Sequence, residues 1–168
     1  MVHRTIMLAL LAGISISILF ISLLCPQSEA GTVESPVRAK PVLGDLDLRT
    51  PAGEQVSLIP YIGRKVVVVA FWATWCPICR AETVHLNKLN SDPRVKVVAV
   101  NGGESIKQIR AFVTEYNVGY EVVTDPNAAV AKSFGVPGMP YCVIIGRSGV
   151  ISYRGVGLPE DLDTYLRE

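Results

Sequence analysis

The chain contains two cysteines that are separated by two residues, a spacing that is common in reactive cysteine pairs. Cys76 and Cys79 follow a run of valines at positions 66–69 and precede a stretch in which apolar residues recur at helical spacing. Such a run is typical of a strand buried on both faces, so the pair is predicted to lie where a core strand turns into a helix. Free N–H groups and the positive end of the helix dipole stabilise a thiolate at that place.

The two cysteines are predicted to have different roles. Pro77 fits the first helical position, because its fixed φ suits a helix and the amide hydrogen that it lacks would be unpaired there. Cys76 is then expected to be the exposed nucleophile. Cys79 lies one turn further along on the same face, where it can form a disulfide with Cys76 but is shielded by its own helix. It is therefore predicted to be the resolving thiol.

A zinc site and a purely structural disulfide are the other uses of such a pair. Outside the first 30 residues, the cysteines and histidines of the chain are Cys76, Cys79, Cys142 and His85, without a second closely spaced pair. A structural zinc site needs four ligands, which disfavours zinc. A disulfide that closes a two-residue loop constrains the unfolded chain very little. Redox chemistry is the favoured interpretation.

The stretch from Trp72 to Arg80, WATWCPICR, resembles the active-site signature of thioredoxin-fold proteins. It is most similar to the extracytoplasmic, TlpA-like thiol-disulfide oxidoreductases, which include cytochrome c maturation thioredoxins and the suppressor of copper sensitivity protein D type. The resemblance spans residues 41–168 and implies an α/β thioredoxin fold, with a central mixed β-sheet flanked by helices and an N-terminal β-hairpin extension. It implies disulfide exchange with cysteine-containing substrate proteins, with the Cys76–Cys79 pair as redox centre and no other cofactor or metal.

The resemblance also implies a role for Glu104. In the TlpA-like group a glutamate after the second core strand handles the proton of the resolving thiol, and Glu104 stands in that place. Ala70 supports this, since it occupies the position of the buried aspartate of thioredoxins proper and another carboxylate must do the proton work. The simpler interpretation is that Glu104 assists the capping of the helix that follows.

The segment 136–145 resembles the proline loop of the family, in which the second proline is cis and lies against the cysteines. We therefore expect a cis Met139–Pro140 bond, against the alternative of a trans proline entering a strand. Backbone groups of Met139 are expected to pair with a substrate segment in strand fashion, and Trp75 and Pro77 to complete the substrate-binding residues. Cys142 departs from the small hydroxyl residues usual there and is expected to be a small buried hydrophobe.

Strands and helices alternate through the remaining chain, which predicts βαβ architecture with a parallel core. Two short alternating segments flanking a turn at residues 50–53 predict the amino-terminal hairpin, as an extension of the sheet edge. The cysteines should open a helix that ends at about Asn90 and buries one stripe of residues. The further elements predicted are a strand at 95–100, a helix with Ile109, Phe112, Val113 and Tyr116 on one stripe, a strand at 121–123, a helix at 128–134, a terminal antiparallel pair and a last helix after Asp161.

Residues 1–30 are predicted to be a targeting segment. Residues 6–24 carry no charge over 19 positions, and as a helix they would be about 28 Å long, close to the thickness of a bilayer core. An anchor in the inner membrane is favoured, although Ser28 and Ala30 also fit signal peptidase cleavage after Ala30. Either outcome delivers the domain to the periplasmic side, where disulfides persist. Residues 31–40 are predicted to be a tether, and residues 41–168 a single domain.

The formal net charge of +1 gives no basis for nucleic-acid binding. The favoured function is a reductant of protein disulfides that a membrane thiol or electron donor recharges; a general disulfide oxidant is the alternative. A copper-binding module is a further alternative, but its relatives need a distant histidine, and His85 lies on the predicted catalytic helix. A peroxidase would need a Pro-x-x-x-Thr-x-x-Cys setting, which the sequence lacks.

Overall fold

The computed structural model of this protein describes residues 46–167. Its helices are α1 (Pro77–Asn90), α2 (Ile106–Glu115), α3 (Ala129–Ser133) and α4 (Leu162–Leu166), with a short 3₁₀ turn at Ile59–Tyr61. Its strands are β1 (Leu48–Arg49), β2 (Gln55–Val56), β3 (Val66–Trp72), β4 (Val95–Gly102), β5 (Glu121–Asp125), β6 (Tyr141–Ile145) and β7 (Ile151–Gly155). The strands form one mixed sheet in the order β2-β1-β5-β4-β3-β6-β7.

Strand β3 lies in the middle of the sheet because its sequence is apolar at every position. All seven of its residues are buried, and it pairs in parallel with β4 and antiparallel with β6. Val67 and Phe71 point into the core that also contains α3, whereas Val68 and Ala70 point into the core beneath α1 and α4. Burial on both faces requires apolar side chains on both. The strand therefore delivers the chain to the cysteines from the centre of the fold.

The predicted elements are largely confirmed, and the differences have physical reasons. The hairpin extends the sheet edge, as predicted, although its strands are shorter than expected; the structure adds that β1 is the strand that pairs with β5. Strand β4 runs two residues beyond the β-branched stretch, to Gly102, because its ladder continues through the pairs of Trp72 with Asn101 and of Gly102 with Asp125. The two added residues extend β4 to the level of the loop at residues 73–76, the cysteine loop, which carries Cys76.

Helix α1 ends at Asn90, as predicted. Its buried residues recur every three or four positions, at Cys79, Thr83, Leu86 and Leu89, which places them on the one helical face that packs against the sheet. Helix α2 likewise buries Ile109 and Phe112. Helices α1 and α2 thus share the face of the sheet on which Trp72 lies.

The predicted membrane anchor at residues 6–24, the cleavage site after Ala30 and the tether at residues 31–40 lie outside the described residues. Between residues 46 and 167, no helix combines the length and apolar character that a bilayer crossing requires.

Candidate active site

Cys76 and Cys79 lie at the amino end of α1 and form a disulfide, with their Cα atoms 5.3 Å apart. Cys76 is the N-cap residue, Pro77 follows in the first turn, and the backbone N–H of Cys79 donates a hydrogen bond to Cys76 Sγ at 3.1 Å. The pair therefore stands at the strand-to-helix turn that the sequence predicts. A sulfur that accepts an N–H at a helix N-terminus is stabilised in its thiolate form once the disulfide is reduced.

The expectation that Cys76 is exposed is wrong for this disulfide-bonded state. Cys76 is only 2% exposed and Cys79 5%. Both pack in an apolar cluster with Trp72 and Phe112, against which Met139 also lies. The shielding thus comes from side chains on β3, on α2 and in the proline loop, as well as from α1.

The surface beside the disulfide is apolar. Trp75, which precedes Cys76, and Ile78, which lies between the two cysteines, are 65% and 58% exposed, and Pro77 is also exposed. Large apolar side chains normally avoid water, so their grouping at a reactive pair is typical of a surface that contacts another molecule.

The Met139–Pro140 peptide bond is cis, as predicted. Pro140 is buried, and the half-buried Met139 packs against the cluster that contains both cysteines. Of the predicted site residues, Trp75, Pro77 and Met139 are thus brought to the disulfide.

Glu104 is connected to the site through Thr74, two residues before Cys76. The carboxylate accepts the Thr74 backbone N–H on Oε2 at 2.7 Å and the Thr74 hydroxyl on Oε1. The side-chain amide of Asn101, which is fully buried at the end of β4, donates to the same Oε2 at 2.7 Å. Asn101 Oδ1 in turn accepts the Glu104 backbone N–H at 3.3 Å. The carboxylate therefore ties the end of β4 to the loop that carries Cys76.

The capping interpretation of Glu104 is wrong. Ser105 is the N-cap of α2, and it forms a reciprocal capping box with Gln108. Glu104 precedes the cap, which leaves its carboxylate free to bond with Thr74. The sequence signal for this was the Ser-x-x-Gln spacing at 105–108.

Sequence reasoning did not single out Thr74 and Asn101. Asn101 is the fully buried polar residue of β4, whose other buried residues are apolar. A buried amide needs hydrogen-bond partners. That requirement was a signal for a polar contact at this strand end, although it did not identify Thr74 and Glu104 as the partners.

Cys142 is the free cysteine of the described residues, and it is buried in the core beneath α1. It lies opposite Ala70 on the neighbouring strand. Burial, with a further contribution from the charge of Glu82, raises the pKa of the Cys142 thiol from 9.0 to about 12. The thiol therefore stays protonated at neutral pH, and its predicted character as a small buried hydrophobe is confirmed.

Replacing Cys142 with alanine should leave most of the disulfide exchange intact. The variant loses a protonated thiol that packs against apolar neighbours, so we expect a fall of about 1 kcal/mol in the free energy of unfolding. Cys142→Ser should be less stable than Cys142→Ala, because its hydroxyl is placed among apolar side chains. Denaturant unfolding and single-turnover reduction of a peptide disulfide measure the two effects.

The same unfolding experiment at alkaline pH tests whether the pKa of the Cys142 thiol is raised in the folded protein. A raised pKa in the folded state means that the stability contributed by this thiol is complete below the ordinary value of 9.0 and is lost as the pH rises through about 12. The stability difference between wild type and Cys142→Ala should therefore shift against wild type above about pH 9. A large loss of turnover in Cys142→Ala would instead make Cys142 a third redox centre.

The fold and the site define a class of protein: a thioredoxin-fold protein whose redox centre is a Cys-x-x-Cys pair at the start of a helix. The model of the Redoxin family matches residues 37–166. The chain belongs to the Redoxin family.

Individual relatives agree with this assignment. Thioredoxin-like protein YneN from Bacillus subtilis (strain 168) is 36% identical over 118 residues, which cover 67% of this chain and 68% of YneN. Thiol-disulfide oxidoreductase ResA from Halalkalibacterium halodurans is 30% identical over 125 residues, which cover 72% of this chain and 68% of ResA. The solved structure of MTB dsbF in its mixed oxidized and reduced forms superposes with a TM-score of 0.65 at 26% identity, covering 76% of this chain and 94% of dsbF.

The comparisons confirm the predicted fold and the resemblance to the TlpA-like proteins. The chain is a thiol-disulfide oxidoreductase of the thioredoxin family, with Cys76 and Cys79 as its redox pair.

Proposed function

We propose that this protein reduces disulfides of substrate proteins on the outer side of a membrane, with Cys76 as nucleophile and Cys79 as resolving thiol. The observation that carries the proposal is the hydrogen bond from the Cys79 N–H to Cys76 Sγ at the N-cap of α1. This contact favours a thiolate on Cys76 in the reduced protein. Cys79 lies within the first turn of the same helix, with its sulfur bonded to Cys76 Sγ in this structure, and is therefore placed to attack a bond formed at Cys76.

The exchange takes place in two steps that conserve atoms and electrons. The Cys76 thiolate attacks one sulfur of the substrate disulfide, a mixed disulfide forms, and the other substrate sulfur leaves as a thiolate. The Cys79 thiolate then attacks Cys76 Sγ, which forms the Cys76–Cys79 disulfide and releases the second substrate sulfur. Two electrons pass to the substrate, whose two thiolates take up protons from solvent, and the protein ends in the disulfide-bonded state.

The second step requires that Cys79 lose its proton, and Glu104 is the proposed acceptor. Its carboxylate is held beside the cysteine loop by Thr74 and Asn101. Of these bonds, the one from the Thr74 hydroxyl can be released by rotation of a single O–H, which frees an oxygen for the proton. After the carboxyl group has released this proton to solvent, the reverse rotation restores the hydrogen bond from the Thr74 hydroxyl to the carboxylate.

A substrate polypeptide is proposed to lie across the apolar surface beside the pair. Backbone groups of Met139 would pair with an extended substrate segment, which gives affinity with little sequence preference. The exposed Trp75 and Pro77 would provide the apolar contacts.

The proposed location of the protein and the proposed direction of disulfide exchange rest on the sequence. The uncharged residues 6–24 support delivery to the outer side of the membrane and retention there. Outside the cytoplasm no glutathione pool recharges a dithiol, so a reductant requires a membrane electron donor. Pro77 and Ile78 add no charge between the cysteines, which argues against a strong oxidant, since strong oxidants stabilise their reduced form.

Redox equilibration with glutathione and trapping of thiols in cells test the direction together. We expect a reduction potential between about −120 mV and about −270 mV, the oxidant and reductant extremes for this fold, and a largely reduced pair at steady state. Labelling of Cys76 in intact cells by a membrane-impermeant alkylating reagent should report the outer location. A potential at the oxidant end, with the pair oxidised in cells, would identify a general oxidant instead.

A further inference from the structure

A side chain at Gly102, the last residue of β4, would meet the far end of the flexible Met139 side chain and no backbone atom of the described chain. The φ of Gly102 lies outside the left-handed region, so its backbone conformation suits other residues. A Cβ placed on Gly102 would overlap the terminal methyl carbon of Met139 and lie 3.5 Å from its sulfur. The neighbouring Gly103 is the opposite case: its φ is +77°, and within the described part of the chain nothing lies within 4 Å of a built Cβ. The Met139 side chain thus occupies the volume that a side chain at 102 would fill.

This contact joins the proline loop to the strand end that holds the cysteine loop. Gly102 directly follows Asn101, whose amide binds Glu104, and Glu104 binds Thr74 before Cys76. Met139 also packs against the cluster that contains both cysteines. The Met139 side chain therefore contacts two parts of the site, the end of β4 and the apolar surroundings of the disulfide.

We propose that Gly102 is a positioning residue for substrate binding: by leaving room for the Met139 side chain at the end of β4, it fixes the Met139 backbone where an extended substrate segment pairs with it. This inference rests on the proposed function. A polypeptide disulfide, which uses the Met139 backbone, depends on the contact. A small disulfide without a peptide backbone reaches Cys76 without that pairing and does not depend on it.

Gly102→Ala tests the inference in single-turnover experiments with the pre-reduced full-length protein. The substrates are a synthetic peptide with one intramolecular disulfide and, for comparison, hydroxyethyl disulfide. One added methyl group in a packed site changes discrimination by roughly tenfold or more, so the half-saturating peptide concentration should rise roughly tenfold. The limiting rate with the peptide and the rate with hydroxyethyl disulfide should stay within about twofold of wild type.

Gly138→Ala is the matched control. Gly138 precedes Met139 in the same loop, its φ is outside the left-handed region, and no atom of residues 46–167 lies within 4 Å of a built Cβ. This variant should bind the peptide like wild type. An effect as large as that of Gly102→Ala would mean that any change near the loop weakens binding, and the inference would fail.

A double-mutant cycle with Met139→Ala separates the contact from a general effect at residue 102. Without the Met139 side chain, Gly102→Ala should leave the half-saturating peptide concentration unchanged. The melting temperature should show the same coupling: Gly102→Ala should raise it less in wild type than in Met139→Ala, because alanine restricts the unfolded chain in both backgrounds but the end of the Met139 side chain must move aside only in wild type. Equal effects of Gly102→Ala in both backgrounds, or an unchanged half-saturating peptide concentration in wild type, would overturn the inference.

Failure of the proposed function has a different signature. A wild-type protein that reduces hydroxyethyl disulfide but not the peptide is not a reductant of polypeptide disulfides, and the role of Gly102 in substrate binding falls with it. The melting temperatures of wild type, the two single variants and the double variant still show whether residues 102 and 139 are in contact. A peptide that is reduced with no coupling between residues 102 and 139 overturns the inference alone.

Discussion

Replacing Cys76 with serine should abolish disulfide exchange, whereas replacing Cys79 with alanine should leave a protein that attacks once and stays bound to its substrate. The Cys76 sulfur is the one at the N-cap of α1 that accepts a backbone N–H, so its loss removes the nucleophile and lowers turnover on the order of a thousandfold or more. In Cys79→Ala the mixed disulfide still forms at Cys76, but no neighbouring thiolate remains to release the substrate.

Non-reducing electrophoresis and intact-mass measurement after mixing with a disulfide peptide detect the trapped species. The Cys79→Ala protein should carry the mass of one peptide, and a reductant should remove it. Cys142→Ala provides the control background, because it leaves Cys76 as the one cysteine of the described residues that can be labelled in Cys79→Ala. Equal residual turnover in Cys76→Ser and Cys79→Ala would contradict the assignment of nucleophile and resolver.

Features that depend on local periodicity were predictable from the sequence. The buried stripe of α1 follows from apolar or small residues at 79, 83, 86 and 89, and the central place of β3 follows from its unbroken apolar run. In both cases one stretch of chain contains the whole signal, since the face that is buried repeats with the period of the element.

Contacts between distant parts of the chain were not predictable in the same way. The burial of Cys76 depends on Phe112 and Met139, which come from α2 and from the proline loop. The bonds between Thr74 and Glu104 join residues 30 positions apart, and neither residue type alone specifies such a partner. The family resemblance indicated where Glu104 would lie, but the contact that holds it there required the folded chain.

Glu104→Gln should slow the resolving step by roughly a hundredfold and change its pH dependence, without affecting the first attack by Cys76. Glutamine keeps the shape of the side chain and most of its bonds. Its carbonyl oxygen can accept from the Thr74 N–H and from Asn101, as Glu104 Oε2 does, and its NH₂ group can donate to the Thr74 hydroxyl. The variant therefore removes the negative charge and the capacity to take a proton while retaining the link between β4 and the cysteine loop.

Stopped-flow single turnovers of the reduced protein, recorded from about pH 5 to about pH 9, separate attack from resolution. A mixed disulfide should accumulate transiently in Glu104→Gln and not in wild type. Thr74→Val is the matched control, since it removes the hydroxyl bond to Glu104 Oε1 but keeps the charge and the backbone N–H. We expect Thr74→Val to lose about 1 kcal/mol of stability and to retain the wild-type pH profile of resolution.

The two variants distinguish a proton acceptor from a residue that only positions the loop. With Ser105 as the cap of α2, the remaining structural role of Glu104 is to hold Thr74 and Asn101 together. If positioning is its whole role, Thr74→Val should slow resolution more than Glu104→Gln. Glutamine can still bond to the Thr74 N–H, the Thr74 hydroxyl and the Asn101 amide. Both variants should then have the pH profile of wild type. If Glu104 accepts the Cys79 proton, the order is reversed, because only the loss of the carboxylate removes the base.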